Sequence, residues 1–559
     1  MCGFIFQKKI NNKELDKKQF KLASKLIFKR GPDNQSFYHD DNHNIFHARL
    51  NIIDLNTRSN QPMQFNDYHI VYNGEIYNFE KVRDELKQYF KFKTSSDTEV
   101  LLYSYIKWGE QMFKKIDGMY SFVIYNFKKN VVFFARDLFG QKPLYYFLDK
   151  NEIILSSEVK PILKLQKLKK INFEEKEINK YLNYNFYGDS NFTFFKDIFQ
   201  VPAGTFGYFS KNKLTLKKIK NKIDKTKINE KKVFNLLKKE IKNHLISDVD
   251  VAILISDGID SKSILDLSEK IYKKKLKLFN LEFENFDNST FNKEYKSKYK
   301  KNLVTAKFYK KDLFKFLNKT SIVCEAPTLG LFTLGLMKLF KKIKNNNIKV
   351  VLNGQGVDEI FGGYNLIFKT FKKDQIYHPS GNILSNNNAL YLKIKRVNFN
   401  SGDNFKSKRN KMAFISKIPK VLNQFDKISM NYSIENRSPY LTPDLAGIIE
   451  KLKLKQIYKK NKTKFIFRKV LYDFTKNNFY FNDKLYEQSP QPEFLLDKSN
   501  FLKTKKIVNK KNYCDKFFIK KNIIKYLNDF KTNKNSGFLI WQYLSLNSFL
   551  ESFRKINFR

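Results

Sequence analysis

The sequence predicts an α/β protein whose second half is built on a parallel sheet. Short apolar runs rich in β-branched residues (Val251-Ala252-Ile253-Leu254-Ile255, Leu278-Phe279-Asn280-Leu281-Glu282-Phe283 and Lys349-Val350-Val351-Leu352) have the length of buried strands. They alternate with helical stripes such as Ile264, Leu267 and Ile271, spaced i, i+3, i+7. That alternation is what helical crossovers between parallel strands produce. At 559 residues the chain has room for two or three domains, each with an ample core.

Lys and Arg outnumber Asp and Glu by 106 to 55, a net charge of +51 that on its own suggests nucleic acid or an anionic membrane. Only 11 of the basic residues are Arg, however, and the Lys are spread along the whole chain rather than gathered in one stripe. Lys, Asn, Ile and Phe are abundant together, as an AT-rich genome produces. The charge therefore reads as a solvated surface, and no specific nucleic-acid partner is expected. Three cysteines, Cys2, Cys324 and Cys514, form no disulfide framework and suit a reducing compartment. No apolar run approaches the ~18–20 residues of a membrane span, and the N-terminus lacks signal-peptide anatomy. The expectation is a cytoplasmic protein with no membrane partner.

The second half is organised around residues 249–275, where Ser256-Asp257-Gly258-Ile259-Asp260-Ser261 joins a strand to a helix. A Gly/Ser turn feeding a helix N-terminus makes an anion cradle: Gly258 lets the backbone come close, the hydroxyls of Ser256 and Ser261 donate, and unpaired N–H groups point outward. No G-x-x-x-x-G-K-[ST] occurs, so this is not the common P-loop. Taken alone, the stretch is equally an ordinary Ser/Asp/Gly turn. It resembles the S-G-G-[LI]-D-S loop of the PP-loop ATP pyrophosphatases, which hold the pyrophosphate released when ATP is cut between its α- and β-phosphates. Asp257 stands where that family usually has Gly.

At the start of the chain, Cys2 follows the initiator Met and precedes Gly3-Phe4-Ile5-Phe6. With Met removed, one residue would carry both a thiol and an α-amine. An amine of reference pKa ~7.7–8.0 can activate the nucleophile; a buried strand cysteine is the alternative on position alone. Further on stand Arg30-Gly31-Pro32-Asp33, His47-Ala48-Arg49-Leu50, Val71-Tyr72-Asn73-Gly74-Glu75, Ser95-Ser96-Asp97, Asp117-Gly118-Met119 and Arg136-Asp137-Leu138-Phe139-Gly140. In order and spacing, residues 2 to about 210 resemble the class II glutamine amidotransferase domain, a four-layer α/β/β/α N-terminal-nucleophile hydrolase. The resemblance implies that Cys2 attacks the glutamine carboxamide to form a thioester. It makes Asn73 (side chain) and Gly74 (backbone N–H) the oxyanion donors. Arg49 would clamp the glutamine carboxylate with its planar fork, and Glu75 and Asp97 would hold the amino and amide groups.

Residues 211–235, rich in Lys and Asn, read as a linker, and 236–559 as an ATP-binding domain with a helical C-terminal part. There Asn353-Gly354-Gln355-Gly356-Val357-Asp358-Glu359-Ile360-Phe361-Gly362-Gly363-Tyr364 resembles the S-G-E-G-x-D-E-x-F-G-G-Y segment of glutamine-dependent asparagine synthetases. Residues 426–441, containing Asp426, Ser429-Met430, Glu435, Arg437 and Pro439-Tyr440-Leu441, match that family's D-x-x-S-M-x-x-x-x-E-x-R-x-P-[FY]-L, and Lys464 and Arg468 its K-x-x-x-R. The resemblance implies ATP and pyrophosphate contacts from Ser256, Gly258, Asp260, Ser261, Gly354 and Gln355. It also implies Mg²⁺ held by Asp260 and Asp358, since Mg²⁺ takes few protein ligands and keeps waters.

The second half also departs from the pattern. Besides Asp257, Gln355 replaces a Glu, and Thr442 stands where P-F-L-D has Asp. Ser489-Pro490-Gln491-Pro492-Glu493-Phe494 aligns with the family's R-x-K-x-G-F without its lysine, for which Lys484 is a shifted candidate. The expected activity is amidation of aspartate with glutamine as nitrogen donor and ATP as activator. Amidation of another carboxylate, such as a sugar acid of a surface polysaccharide, and a glutaminase with a scaffold-only second half stay open, as does a homodimer.

Overall fold

The computed structural model describes the chain apart from residues 1, 12–13, 169, 185–186, 189, 221–227, 287–296, 364–417, 450, 483–488, 533–535, 557 and 559. The first half stacks two six-stranded antiparallel sheets. One runs in the order β10 (Phe199–Gln200), β8 (Tyr145–Leu148), β9 (Glu152–Ser156), β1 (Cys2–Lys9), β3 (His43–Arg49), β2 (Asn34–His39). The other runs β12 (Lys213–Lys218), β11 (Thr205–Ser210), β7 (Val131–Arg136), β6 (Gly118–Asn126), β5 (Tyr68–Ile76), β4 (Met63–Phe65). Successive side chains of a strand face opposite ways. Phe4 and Phe6 of β1 thus enter the core between the sheets with Val71, Val123 and Phe134. Ile5 packs on the other face with Phe20 and Ala23 of helix Lys17–Ser24 and Ile162 of helix Val159–Leu165. In the second sheet Val71 points inward, while Ile70 and Tyr72 meet Val82 and Val100 of helices Phe79–Leu86 and Asp97–Trp108. The layers are therefore helix, sheet, sheet, helix, as expected.

The second half carries an all-parallel sheet of β13 (Val251–Leu254), β14 (Lys277–Phe283), β15 (Leu303–Phe308), β16 (Val350–Leu352) and β17 (Glu435–Arg437), in the order β15-β14-β13-β16-β17. The chain steps outward from β13 to β15, then returns to the far side of β13 with β16. That reversal opens a crevice at the carboxyl ends of β13 and β16, the position where open parallel sheets bind ligands. The 256–261 loop follows β13 and residues 353–363 follow β16, so both sequence motifs face the crevice.

The expected linker at 211–235 is corrected at both ends. Lys213–Lys218 forms β12, paired with β11 across a turn in which Lys211 and Asn212 have φ 49° and 58°. Its alternation rests on Leu214 and Leu216 alone, with lysines at most other positions, so the strand is masked by composition. Helix Glu230–His244 then begins at Asn229, whose side chain accepts from Lys232 N.

The two halves pack closely. Leu50, Ile52, Tyr77 and Met119 form one buried cluster with Val350 and Met430. Arg30 pairs with Asp426 at 2.9 Å, and Asn423 Nδ2 donates to Tyr145 Oη at 2.7 Å. Among the described residues no helix is long and apolar enough to cross a membrane.

Candidate functional site

Cys2 opens β1 opposite Arg49, the last residue of β3. Its backbone nitrogen donates to Asn73 Oδ1 at 3.1 Å, and its carbonyl accepts from Arg30 Nε at 3.0 Å. Asn73 is fully buried, and its Nδ2 has no hydrogen-bond partner among the described residues, so the amide whose oxygen holds Cys2 N keeps an unsatisfied donor. Gly74 lies tight against β6: a Cβ there would sit 2.2 Å from Met119 O, so only glycine fits. Burial pushes the Cys2 thiol above its usual value, while the N-terminal amine, the Leu50 N–H and the Arg49 guanidinium pull the other way. Arg49 itself donates to Asn56 O at 2.8 Å, to Asn60 Oδ1 at 2.9 Å and to Asp54 O, which holds the 53–60 loop beside the thiol.

Asp97 starts helix Asp97–Trp108, and its Oδ2 accepts from Tyr72 Oη at 2.8 Å and from Ile76 N at 3.0 Å. Glu75 Oε2 accepts from Arg437 Nη2 at 3.3 Å, and its Oε1 is buried with no hydrogen-bond partner among the described residues. Burial and the repulsion of Asp97 raise the Glu75 carboxyl well above the usual range, with Arg437 opposing. For Glu435, burial alone would do the same, but the N-terminal amine, then Arg437 and Lys142, hold its carboxyl down at about 2. Two buried acidic groups, Glu75 and Glu435, thus meet one guanidinium, with the buried Asp97 close enough to repel Glu75. Such a group suits a further cation, such as an amino group.

Arg437 and Glu435 belong to the second half and had no role assigned from sequence. In the sequence their signal is their place in the 426–441 segment; in the structure they lie on a three-residue strand with no exposure to solvent. Arg437 also reaches the other motif, because its carbonyl accepts from Asn353 N at 3.0 Å and from Asn353 Nδ2 at 2.9 Å.

In the second half, Ser256 N donates to Ser261 Oγ at 3.0 Å, Gly258 N to Ser256 Oγ at 3.3 Å, and helix Ile259–Tyr272 starts directly after Gly258. Among the described residues a Cβ on Gly258 would meet only Ser256 Oγ, at 3.5 Å, so the loop itself does not crowd this residue. Gly354 is the opposite case. Its Cβ would lie 2.9 Å from Asp260 C and from Ser261 N, and this contact seats the second motif against the first. Gln355 N donates to Asn353 Oδ1 at 2.8 Å. Asp260 and Asp358, expected as the metal pair, converge on one amine: Lys464 Nζ lies 2.7 Å from both Asp260 oxygens and 2.6 Å from Asp358 Oδ1.

The departures have physical accounts. Thr442 precedes helix Pro443–Ile449 and its Oγ1 accepts from Leu445 N at 3.4 Å, a capping task that Asp and Thr share. Gln491 Oε1 accepts from Leu331 N at 3.1 Å at the start of helix Leu331–Lys344, so the side chain aligned with the family's lysine caps a helix instead. Asp257 is buried within the anion loop. Lys484 lies outside the described residues. Arg468 donates to Thr463 O at 2.8 Å and to Tyr480 O at 2.6 Å, a scaffolding position.

Residues 1–220 match the glutamine amidotransferase domain family, and residues 232–498 the asparagine synthase family. The chain is 30% identical over 383 residues to glutamine-hydrolyzing asparagine synthetase 1 of Bacillus subtilis, a match spanning 66% of this chain and 59% of that protein. With putative glutamine-hydrolyzing asparagine synthetase 2 of Methanocaldococcus jannaschii it shares 31% identity over 398 residues, 65% of this chain and 76% of that one. With glutamine-hydrolyzing asparagine synthetase 3 of B. subtilis it shares 26% identity over 560 residues, 90% of each. The chain belongs to the glutamine-hydrolysing asparagine synthetase family.

Proposed function

We propose that the protein is a glutamine-hydrolysing asparagine synthase, which amidates aspartate with ammonia taken from glutamine and releases AMP and diphosphate from ATP. The observation that carries this reading is that one residue, Arg437, touches both candidate sites: its guanidinium bonds Glu75 beside Cys2, and its carbonyl bonds Asn353 at the head of the second motif.

At the first site the Cys2 amine, freed by removal of Met1, takes the thiol proton, and the thiolate attacks the carboxamide carbon of glutamine. Asn73 Nδ2 and Gly74 N–H receive the oxyanion; one such donor is typically worth ~2.7–4 kcal/mol. Arg49 clamps the substrate carboxylate, and Glu75 and Asp97 hold its amino and amide groups. Collapse of the intermediate expels ammonia, and water cleaves the remaining thioester. The apolar seam of Leu50, Ile52, Tyr77, Met119, Val350 and Met430 between the halves suits passage of neutral ammonia.

At the second site Ser256, Gly258, Ser261, Gly354 and Gln355 cradle the pyrophosphate of ATP. Asp260 and Asp358 fit Mg²⁺, since their oxygens already converge on one cation; when bound, the metal neutralises charge as the α–β bond breaks. The acceptor carboxylate attacks the α-phosphorus, and ammonia then displaces AMP from the acyl carbon. The buried Asp257 and the helix-capping Gln491 favour a second reading, in which the acceptor is another carboxylate, such as a sugar acid. Release of AMP and diphosphate with glutamine and ATP, measured across aspartate and other carboxylates, tests both. Release with aspartate supports the synthase, and release only with another acid supports the second reading. No release with any acid leaves a glutaminase on a scaffold.

A further inference from the structure

Lys464 occupies an unusual position. Its ammonium meets three carboxylate oxygens from two separate motifs, at 2.7, 2.7 and 2.6 Å. Its side chain is 2% exposed, whereas those of Asp260 and Asp358 are each 23% exposed. The amine therefore approaches the carboxylates from the protein side, while both carboxylates keep part of their surface toward solvent. Its backbone lies in the left-handed region, φ 56° and ψ 33°, at the head of helix Phe465–Thr475. A β-carbon residue held there is strained, and such strain persists where the surroundings over-determine it. The surroundings here do: a Cβ on Gly363 would sit 1.6 Å from Asp358 Oδ1 and 2.2 Å from Lys464 Cε, so the chain after the second motif is folded directly onto the pair.

We propose that Lys464 is a resident counter-ion of the nucleotide site, which holds Asp260 and Asp358 together until a divalent cation arrives and must leave them for the metal to bind. This deepens the reading of Asp260 and Asp358 as the metal pair and rests on it. Two carboxylates drawn to one point repel each other strongly unless a cation lies between them. An ammonium at that point fills the need in the absence of nucleotide. A divalent ion and the ammonium cannot share the position, because like charges a few ångströms apart repel and the same three oxygens serve both. The displaced amine lies next to the 256–261 loop, so its new partner is the phosphate that enters with the metal. Metal and pyrophosphate thus bind together: the anion takes the lysine that the cation expels. The metal alone gains little, because it must break three charge-assisted bonds with nothing to receive the amine.

The test is direct binding of Mn²⁺ to the full chain without nucleotide, followed by electron paramagnetic resonance, in wild type and in Lys464→Met. The expected result is Mn²⁺ binding at least tenfold tighter in the variant than in wild type. Inorganic pyrophosphate should then tighten Mn²⁺ binding more in wild type than in the variant, which has lost the amine that receives the anion. Equal Mn²⁺ affinity in the two proteins would overturn the counter-ion role while leaving the metal pair intact. No Mn²⁺ binding to either protein, with or without pyrophosphate, would overturn the metal pair and the counter-ion together. Should Lys464→Met fail to fold, a crystal structure of wild type with Mn²⁺ and pyrophosphate decides. Lys464 Nζ is expected on a phosphate oxygen, and Nζ still bridging Asp260 and Asp358 with Mn²⁺ elsewhere would refute the proposal.

Discussion

The two candidate sites differ in how they are built. The first sits on strands: Cys2, Arg49, Asn73 and Glu75 all lie within β1, β3 and β5, and each is buried. Its polar groups are locked by backbone partners, and a donor and an acceptor oxygen are left over in the interior. The second sits on the loops and first helical turns that follow β13 and β16, with its carboxylates partly open to solvent and neutralised by an internal lysine. A site on strands is preorganised and keeps its geometry without substrate. A site on loops is held by its own ion pairs and is completed by what binds. The first half should therefore respond to substitution by losing chemistry, and the second by changing what it binds.

The largest effect is expected at Cys2. Cys2→Ala should lower glutamine-dependent turnover by on the order of a thousandfold or more, because it removes the proposed nucleophile. Ammonia-dependent synthesis should be spared, since the second site does not use the thiol. Glutamine hydrolysis at the wild-type rate in this variant would remove Cys2 from the chemistry.

At the looped site, Asp260→Asn should lower diphosphate release by on the order of a hundredfold, through loss of metal charge at the leaving group. Asp257→Gly should leave release unchanged or faster, because it removes an anion from the path of the phosphates. A loss of activity in Asp257→Gly would give that carboxylate a positive role and change the account of this loop.

Acid should loosen the preorganised site. Burial pushes His47 and His244 down to about 3, far below the ~6.5 of an unfolded chain. Between those values the unfolded state binds protons that the folded state refuses, so stability is complete above about pH 6.5 and falls as the pH drops. At pH 5 each histidine removes up to about 2 kcal/mol. Both lie at the first site or its seam: His47 Nε2 bonds Tyr72 O at 3.1 Å, and the His244 ring lies 3.8 Å from that of Tyr77. Denaturant unfolding at pH 7 and pH 5 checks this, and equal stability at the two would contradict it.

The smallest effect is expected at Arg49. Arg49→Lys keeps the charge but loses the planar fork that also holds the 53–60 loop. KM for glutamine should rise about tenfold, with a smaller fall in kcat. An unchanged KM would take Arg49 out of substrate binding.

Much of this was legible in the sequence, for a physical reason. Strand alternation, Gly turns and helix starts are local, so the parallel sheet of the second half and the turns at 256–258 and 353–356 can be read from neighbouring residues, whereas the four layers of the first half came from the resemblance alone. The pairing of Glu75 with Arg437 spans 362 positions, and no local period encodes it. The same holds for Lys464, which reaches Asp260 across 204 positions. β12 was hidden because its lysines outweigh its two leucines. Gln491 reads as a missing lysine in sequence, and only its bond to Leu331 N reveals a capping task.

The proposed function requires the two sites to act as one enzyme joined through the seam between the halves. Glutamine labelled with ¹⁵N in its amide, supplied with ATP, aspartate and excess unlabelled ammonium, tests it most directly. One AMP should form for each glutamate, and the label should enter asparagine undiluted by the bulk ammonium. Glutamate formed without AMP, or label diluted to the level of the bulk pool, would contradict it.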